Sequence, residues 1–190
     1  MIQRYHLKNP IKIDETQLGI PQKYKQKCIE EIYRLGDSID RRSNVKALMT
    51  DWCIWKQSKV FDPLLKKILQ TYKDLSYAEN DPRFELSIQN AWGAIYKKHD
   101  YANPHDHHPC YSSFVYYLKS NGKTPLTFKE SNFSLSPVDD TLIIFPSYVK
   151  HHVPPHEEDE DRVCIAGNME IILKEELQHL DRKYTFKLKK

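Results

Sequence analysis

Two periodicities divide the chain. Up to about residue 83 the apolar residues recur every three or four positions, and from Phe84 onward they alternate with polar ones. Behind Pro21, the spacing of Tyr24, Cys28, Ile29, Ile32 and Tyr33 predicts a helix that ends at Gly36. Asp62-Pro63 reads as an N-cap residue followed by Pro at the first helical position. Behind it Leu64, Leu65, Ile68, Leu69, Tyr72 and Leu75 form an amphipathic stripe, expected to pack on a sheet. Phe84, Leu86 and Ile88 then alternate with Glu85, Ser87 and Gln89, a strand running on towards Trp92. Further strands are expected at 113–118, 126–129, 133–135, 141–145 and 162–173, with an edge strand at 184–188. Ser120-Asn121-Gly122-Lys123 is a hairpin signal, because Asn-Gly accepts the positive φ of tight turns. The acidic run Glu157-Glu158-Asp159-Glu160-Asp161 reads as a solvent-facing loop between core strands. The pattern is mainly β with flanking helices, a sandwich or barrel.

With 190 residues the chain is long enough for one domain. Residues 1–83 read as a helical support region, 84–173 as the β core and 174–190 as a C-terminal extension. A net charge of +3, from 29 basic and 26 acidic residues, does not argue for a nucleic-acid partner. The lysines of 187–190 read as a solvated tail. The N-terminus lacks the apolar core of a signal peptide, and no run approaches the roughly 20 apolar residues that span a bilayer. Cys28, Cys53, Cys110 and Cys164 are too scattered for a zinc or redox pair, so free thiols in a reducing, cytoplasmic compartment are expected.

Histidine changes the picture. Three of nine fall in Pro104-His105-Asp106-His107-His108-Pro109, and His151-His152 follow Phe145-Pro146-Ser147. On an extended chain residues i and i+2 face the same way, so either His105 and His107 or Asp106 and His108 could meet one ion. His151 and His152 cannot both do so. Imidazole suits Fe, Zn, Cu or Ni without choosing among them. Arg162, opening the apolar stretch Val163-Cys164-Ile165-Ala166, suits bidentate capture of a carboxylate. The sum is a mononuclear metal site beside an anion pocket. His99, His156 and His179 are expected to be dispensable for the metal.

His105-x-His107, Ser113-Phe114-Val115-Tyr116-Tyr117-Leu118, Phe145-Pro146-Ser147 with His151 and Val153, and Arg162-Val163-Cys164-Ile165 with Asn168 resemble the Fe(II)- and 2-oxoglutarate-dependent oxygenase superfamily. Within it they resemble a group of small phage and bacterial oxygenases, and Asn90-x-Trp92 and Tyr96 fit the strand before the first ligand there. The resemblance covers roughly residues 90–171. It implies a double-stranded β-helix (jelly-roll, cupin-like) with helices on one side. It further implies Fe(II) on His105, His107 and His151, with His107 in place of the superfamily's usual Asp. Arg162 would bind 2-oxoglutarate, with Tyr116 or Tyr117, and Asn168, beside it. The reaction implied is hydroxylation of a small-molecule or peptide substrate by O2, with release of succinate and CO2, in the host cytoplasm for a phage protein. Two rival readings are a three-histidine cupin-like metalloenzyme without 2-oxoglutarate and a non-catalytic β-barrel binding module.

Overall fold

The computed structural model describes residues 2–6, 11–36, 43–75 and 84–173. These form two antiparallel sheets with helices against one of them. The larger sheet has the order β1 (Ile2–His6), β2 (Lys12–Gln17), β10 (Thr141–Pro146), β7 (Ser112–Lys119), β12 (Arg162–Leu173), β5 (Phe84–Tyr96) and β4 (Leu48–Met49). The smaller has β3 (Val45–Lys46), β6 (Tyr101–His105), β11 (His151–Val153), β8 (Leu126–Phe128) and β9 (Phe133–Leu135). From β5 to β12 the chain winds between the two sheets, the double-stranded β-helix expected from the resemblance.

The helices lie outside the sandwich. Helix α1 (Gln22–Leu35) starts behind Pro21 and stops at Gly36, whose amide donates to the Ile32 carbonyl at 2.6 Å. Its Cys28, Ile29 and Ile32 join Leu64, Leu65, Ile68 and Leu69 of α3 (Asp62–Leu75) on the outer face of the large sheet. Gly93 permits this approach, because a Cβ there would lie 2.7 Å from Ile32 Cγ1. The stripe beginning at Leu64 is buried along its whole length. Asp62 is not an N-cap. A 3-10 turn, Lys59–Phe61, runs into α3 and leaves Asp62 in helical geometry, while the Ser58 side chain accepts from the Val60 amide one turn earlier. The short helix α2 (Ile54–Gln57) precedes that turn.

Two other expectations change. Gly122 has the positive φ, 78°, that Asn-Gly foretold. Yet β7 and β8 belong to different sheets, so this turn is a crossover and not a hairpin. The large sheet also draws strands from before Phe84, since β2 pairs with β10 and β4 with β5. Asp140, at φ 71°, fastens β2's end by accepting from the Gly19 and Ile20 amides, at 2.7 and 3.0 Å. The strand expected at 184–188, the 174–190 tail and His179 lie outside the described residues. No helix among the described residues is long and apolar enough to cross a membrane.

Register gives the barrel two ends. β5 turns into β6 at residues 97–100, and β11 reaches β12 through residues 154–161, both at one end. Residues 106–111 and 147–150 connect strands at the other, which we call the mouth. Each residue of the acidic run meets a partner at the far end. Glu157 faces His99, Glu158 pairs with Lys123, Asp159 with Lys98 and Glu160 with Lys119, while Asp161 accepts from the Tyr33 hydroxyl.

Candidate active site

At the mouth, His105 ends β6 directly opposite His151 at the start of β11. His107 follows two residues on, its amide donating to the Ser147 carbonyl at 2.7 Å. These three residues bring ring nitrogens to within 4.8 Å of one another. Their ring centroids are 4.5 Å (His105–His151), 4.9 Å (His105–His107) and 5.1 Å (His107–His151) apart. The alternative face does not converge in the same way. His108 is exposed, and Asp106 turns to accept from its amide at 3.2 Å. Nδ1 of His105 contacts the Asn103 carbonyl at 2.6 Å, and Nδ1 of His151 the Val149 carbonyl at 3.0 Å. A carbonyl only accepts, so both Nδ1 atoms carry the proton and both Nε2 lone pairs are free for a ligand.

Apolar rings enclose the triad. Phe145 lies 4.6 Å and Phe128 6.3 Å from His151, and Trp92 lies 5.9 Å from His107, ring centroid to ring centroid. Burial holds all three imidazoles below their ordinary range, His107 at about 4, and His151 is depressed further by His105 and His107. A group that binds fewer protons folded than unfolded makes stability rise with pH between its folded and unfolded values. The metal-free protein is therefore expected to lose stability as pH falls from about 6.5 towards 4. Urea unfolding across that range checks this, and His107→Leu should flatten the profile.

Arg162, at the far end of the same cavity, is 2% exposed. Among the described residues its Nε, Nη1 and Nη2 find no hydrogen-bond partner, and neither does the buried Tyr117 hydroxyl. The guanidinium stacks on Tyr117 and Tyr96, 4.7 and 5.3 Å from the ring centroids. Burial pushes the Cys164 thiol beside it up to about 11, so the thiol stays neutral. Buried guanidinium donors are rarely left unmatched, and their planar fork fits a carboxylate.

The cavity does not gather every candidate. Along β7, Val115 and Tyr117 line the cavity, whereas Tyr116 faces the helices and donates to Asp140 at 2.7 Å. Asn168 is spent on its neighbours, donating to Asn90 and accepting from Ser113, each at 2.8 Å. His156 does not line the cavity: it is 1% exposed, with both ring nitrogens engaged, by Thr124 and by the Glu160 carbonyl. Its role is to hold the far loop. Sequence reasoning assigned no role to Ser147, which clamps the mouth by donating from its hydroxyl to the Cys110 carbonyl and accepting from His107. Its only signal was the Phe-Pro-Ser motif.

Comparison with known proteins bears on this arrangement. Residues 122–168 match the family described as "Putative 2OG-Fe(II) oxygenase". No curated protein matches the chain. Among solved structures it is similar to the viral collagen prolyl hydroxylase of Paramecium bursaria Chlorella virus-1 in its 2-oxoglutarate complex, with a TM-score of 0.64 and 16% identity over 83% of this chain and 94% of that one. It is also similar to a Pseudomonas putida prolyl-4-hydroxylase, at 0.63 and 16% over 83% and 91%. A third is HygX from Streptomyces hygroscopicus with nickel and 2-oxoglutarate bound, at 0.65 and 12% over 83% and 82%. The chain thus has the double-stranded β-helix of the Fe(II)- and 2-oxoglutarate-dependent oxygenases and, in residues 122–168, the sequence pattern of one of their families.

Proposed function

We propose that the chain is an Fe(II)- and 2-oxoglutarate-dependent oxygenase that hydroxylates a small-molecule or peptide substrate. The observation that carries this reading is the buried Arg162 guanidinium, with three unmatched nitrogens, in one cavity with three converging histidines. A metalloenzyme without a dicarboxylic cosubstrate has no use for that cation, and neither has a binding module whose metal is structural. His105, His107 and His151 would hold the iron. Arg162 would receive the distal carboxylate of 2-oxoglutarate as a fork, and the unpartnered Tyr117 hydroxyl would donate to the same group. When bound, the pair supplies oxidising power from O2, with 2-oxoglutarate leaving as succinate and CO2 and one oxygen atom entering the substrate.

The protein contributes position and dryness. Hydrogen bonds to Asn103 and Val149 fix two imidazoles, and Trp92, Phe128 and Phe145 keep water from the triad. The substrate would approach at the mouth, past the exposed Trp52, Tyr111 and Tyr148. Similar frames serve both a collagen prolyl hydroxylase and a protein that binds hygromycin B, so the substrate is chosen by these rim residues and not by the barrel.

Isothermal titration of the anaerobic Fe(II)-loaded protein tests the reading, with one equivalent of 2-oxoglutarate expected to bind. Alanine at His105, His107 or His151 should remove the iron, while His99→Ala and His108→Ala keep it. Iron binding without 2-oxoglutarate binding would instead favour the three-histidine metalloenzyme.

A further inference from the structure

The triad differs in charge from a site with a carboxylate ligand. All three side chains are neutral imidazoles, and no Asp or Glu is among the described residues lining the cavity. The nearest carboxylate in sequence, Asp106, is turned away and engaged by the His108 amide. The acidic run 157–161 is tied to Lys98, Lys119, Lys123, His99 and Tyr33 outside the barrel. Inside, Arg162 already places one positive charge that no described carboxylate pairs with. A divalent ion on the triad would bring the cavity to three positive charges, surrounded by aromatic and aliphatic walls. Uncompensated charge in such surroundings is strongly disfavoured.

From this, and resting on the oxygenase reading, we propose that the neutral triad makes metal uptake conditional on the cosubstrate. The protein holds its divalent metal weakly alone and firmly only together with the 2-oxoglutarate dianion. The dianion offsets two of the three charges, one carboxylate at the metal and one at Arg162. Coupling is reciprocal, so the metal strengthens 2-oxoglutarate binding by the same factor. A carboxylate in the triad would neutralise one charge in advance and weaken the coupling. His107 is the position that decides this, because it stands where a carboxylate ligand would stand in the resembled superfamily.

The test uses Mn(II), which does not turn over with O2, titrated calorimetrically into metal-free protein with and without saturating 2-oxoglutarate. The full chain is compared with His107→Asp and with His107→Glu, whose longer side chain reaches the metal if aspartate falls short. In the wild type 2-oxoglutarate should raise Mn(II) affinity by about 10- to 150-fold, the upper range of coupling between two sites. In a carboxylate variant Mn(II) alone should bind more tightly, and the enhancement should shrink several-fold. Chelation of the metal by the keto acid is common to all three proteins, so it predicts equal enhancement, and equal enhancement would overturn the proposal. So would a wild-type Mn(II) affinity that changes less than about twofold on adding 2-oxoglutarate, whether or not either variant folds. If 2-oxoglutarate does not bind to the metal-loaded wild type at all, the oxygenase reading itself fails.

Discussion

Replacing Arg162 with Ala should lower 2-oxoglutarate affinity by about 30-fold to several thousand-fold, since truncating one member of a buried charge pair costs roughly 2–5 kcal/mol. The ligand-free protein should not lose stability in parallel. In the free structure the guanidinium is buried, stacked on Tyr96 and Tyr117 and unmatched by any acceptor among the described residues, an arrangement that opposes folding. Its removal relieves that strain while taking away some packing. The mutant is therefore expected to match or exceed the wild type in urea unfolding while binding 2-oxoglutarate far more weakly. Arg162→Lys should fall between, keeping the charge and losing the fork. Calorimetry and unfolding on the same samples read both effects. A mutant that loses stability and affinity together would mean that Arg162 is structural.

Phe145→Ala should be among the most damaging single changes, at about 3–5 kcal/mol of folding stability. Phe145 is 1% exposed and packs edge-on against Phe128, with ring centroids 5.3 Å apart, as well as against His151. Its loss opens a void in the inner core and frees the His151 ring to turn, so metal affinity should fall with stability. Phe145→Leu refills most of the volume and should recover most of both. Tyr148→Ala, on the exposed rim three residues later, should change stability by no more than about 0.5 kcal/mol. A small effect of Phe145→Ala, measured by chemical unfolding, would show that the inner core relaxes around the gap.

Much of this molecule can be read before it is folded. Residues 22–35 and 62–75 declare their helices because one face of each is apolar, and residues 84–96 and 162–173 declare strands long enough to carry a pattern. Strand β2 carries almost no such signal. Its sequence, Lys-Ile-Asp-Glu-Thr-Gln, contains one apolar residue, and its pairing with β1 on one side and β10 on the other creates the strand. The Asn-Gly turn was legible as a turn but not as a crossover, because a local signal cannot say which sheet receives the next strand. In the site, His105, His107, His151 and Arg162 stand out by residue type and spacing. The choice between Tyr116 and Tyr117 needed register. Tyr117 lies opposite Cys164, which faces Arg162's cavity, and Tyr116 lies opposite Ile165, which faces the helices. Ser147 was legible only as part of a motif, without a role, because it works largely through backbone groups on a segment nearly forty residues away.

The strap that Asp140 places on Gly19 joins residues 121 positions apart, and β2 beside it has no inner neighbour until β10 exists. During synthesis at roughly 5–20 residues per second, the first strands therefore leave the ribosome on the order of ten seconds before the segment they must pair with. Such long-range closure makes for slow folding and leaves strand edges exposed meanwhile. A nascent chain halted before Thr141 would hold the β1–β2 pair with no inner strand to join, so the N-terminal segment is not an independent folding unit but the first-made part of a sheet that is finished late.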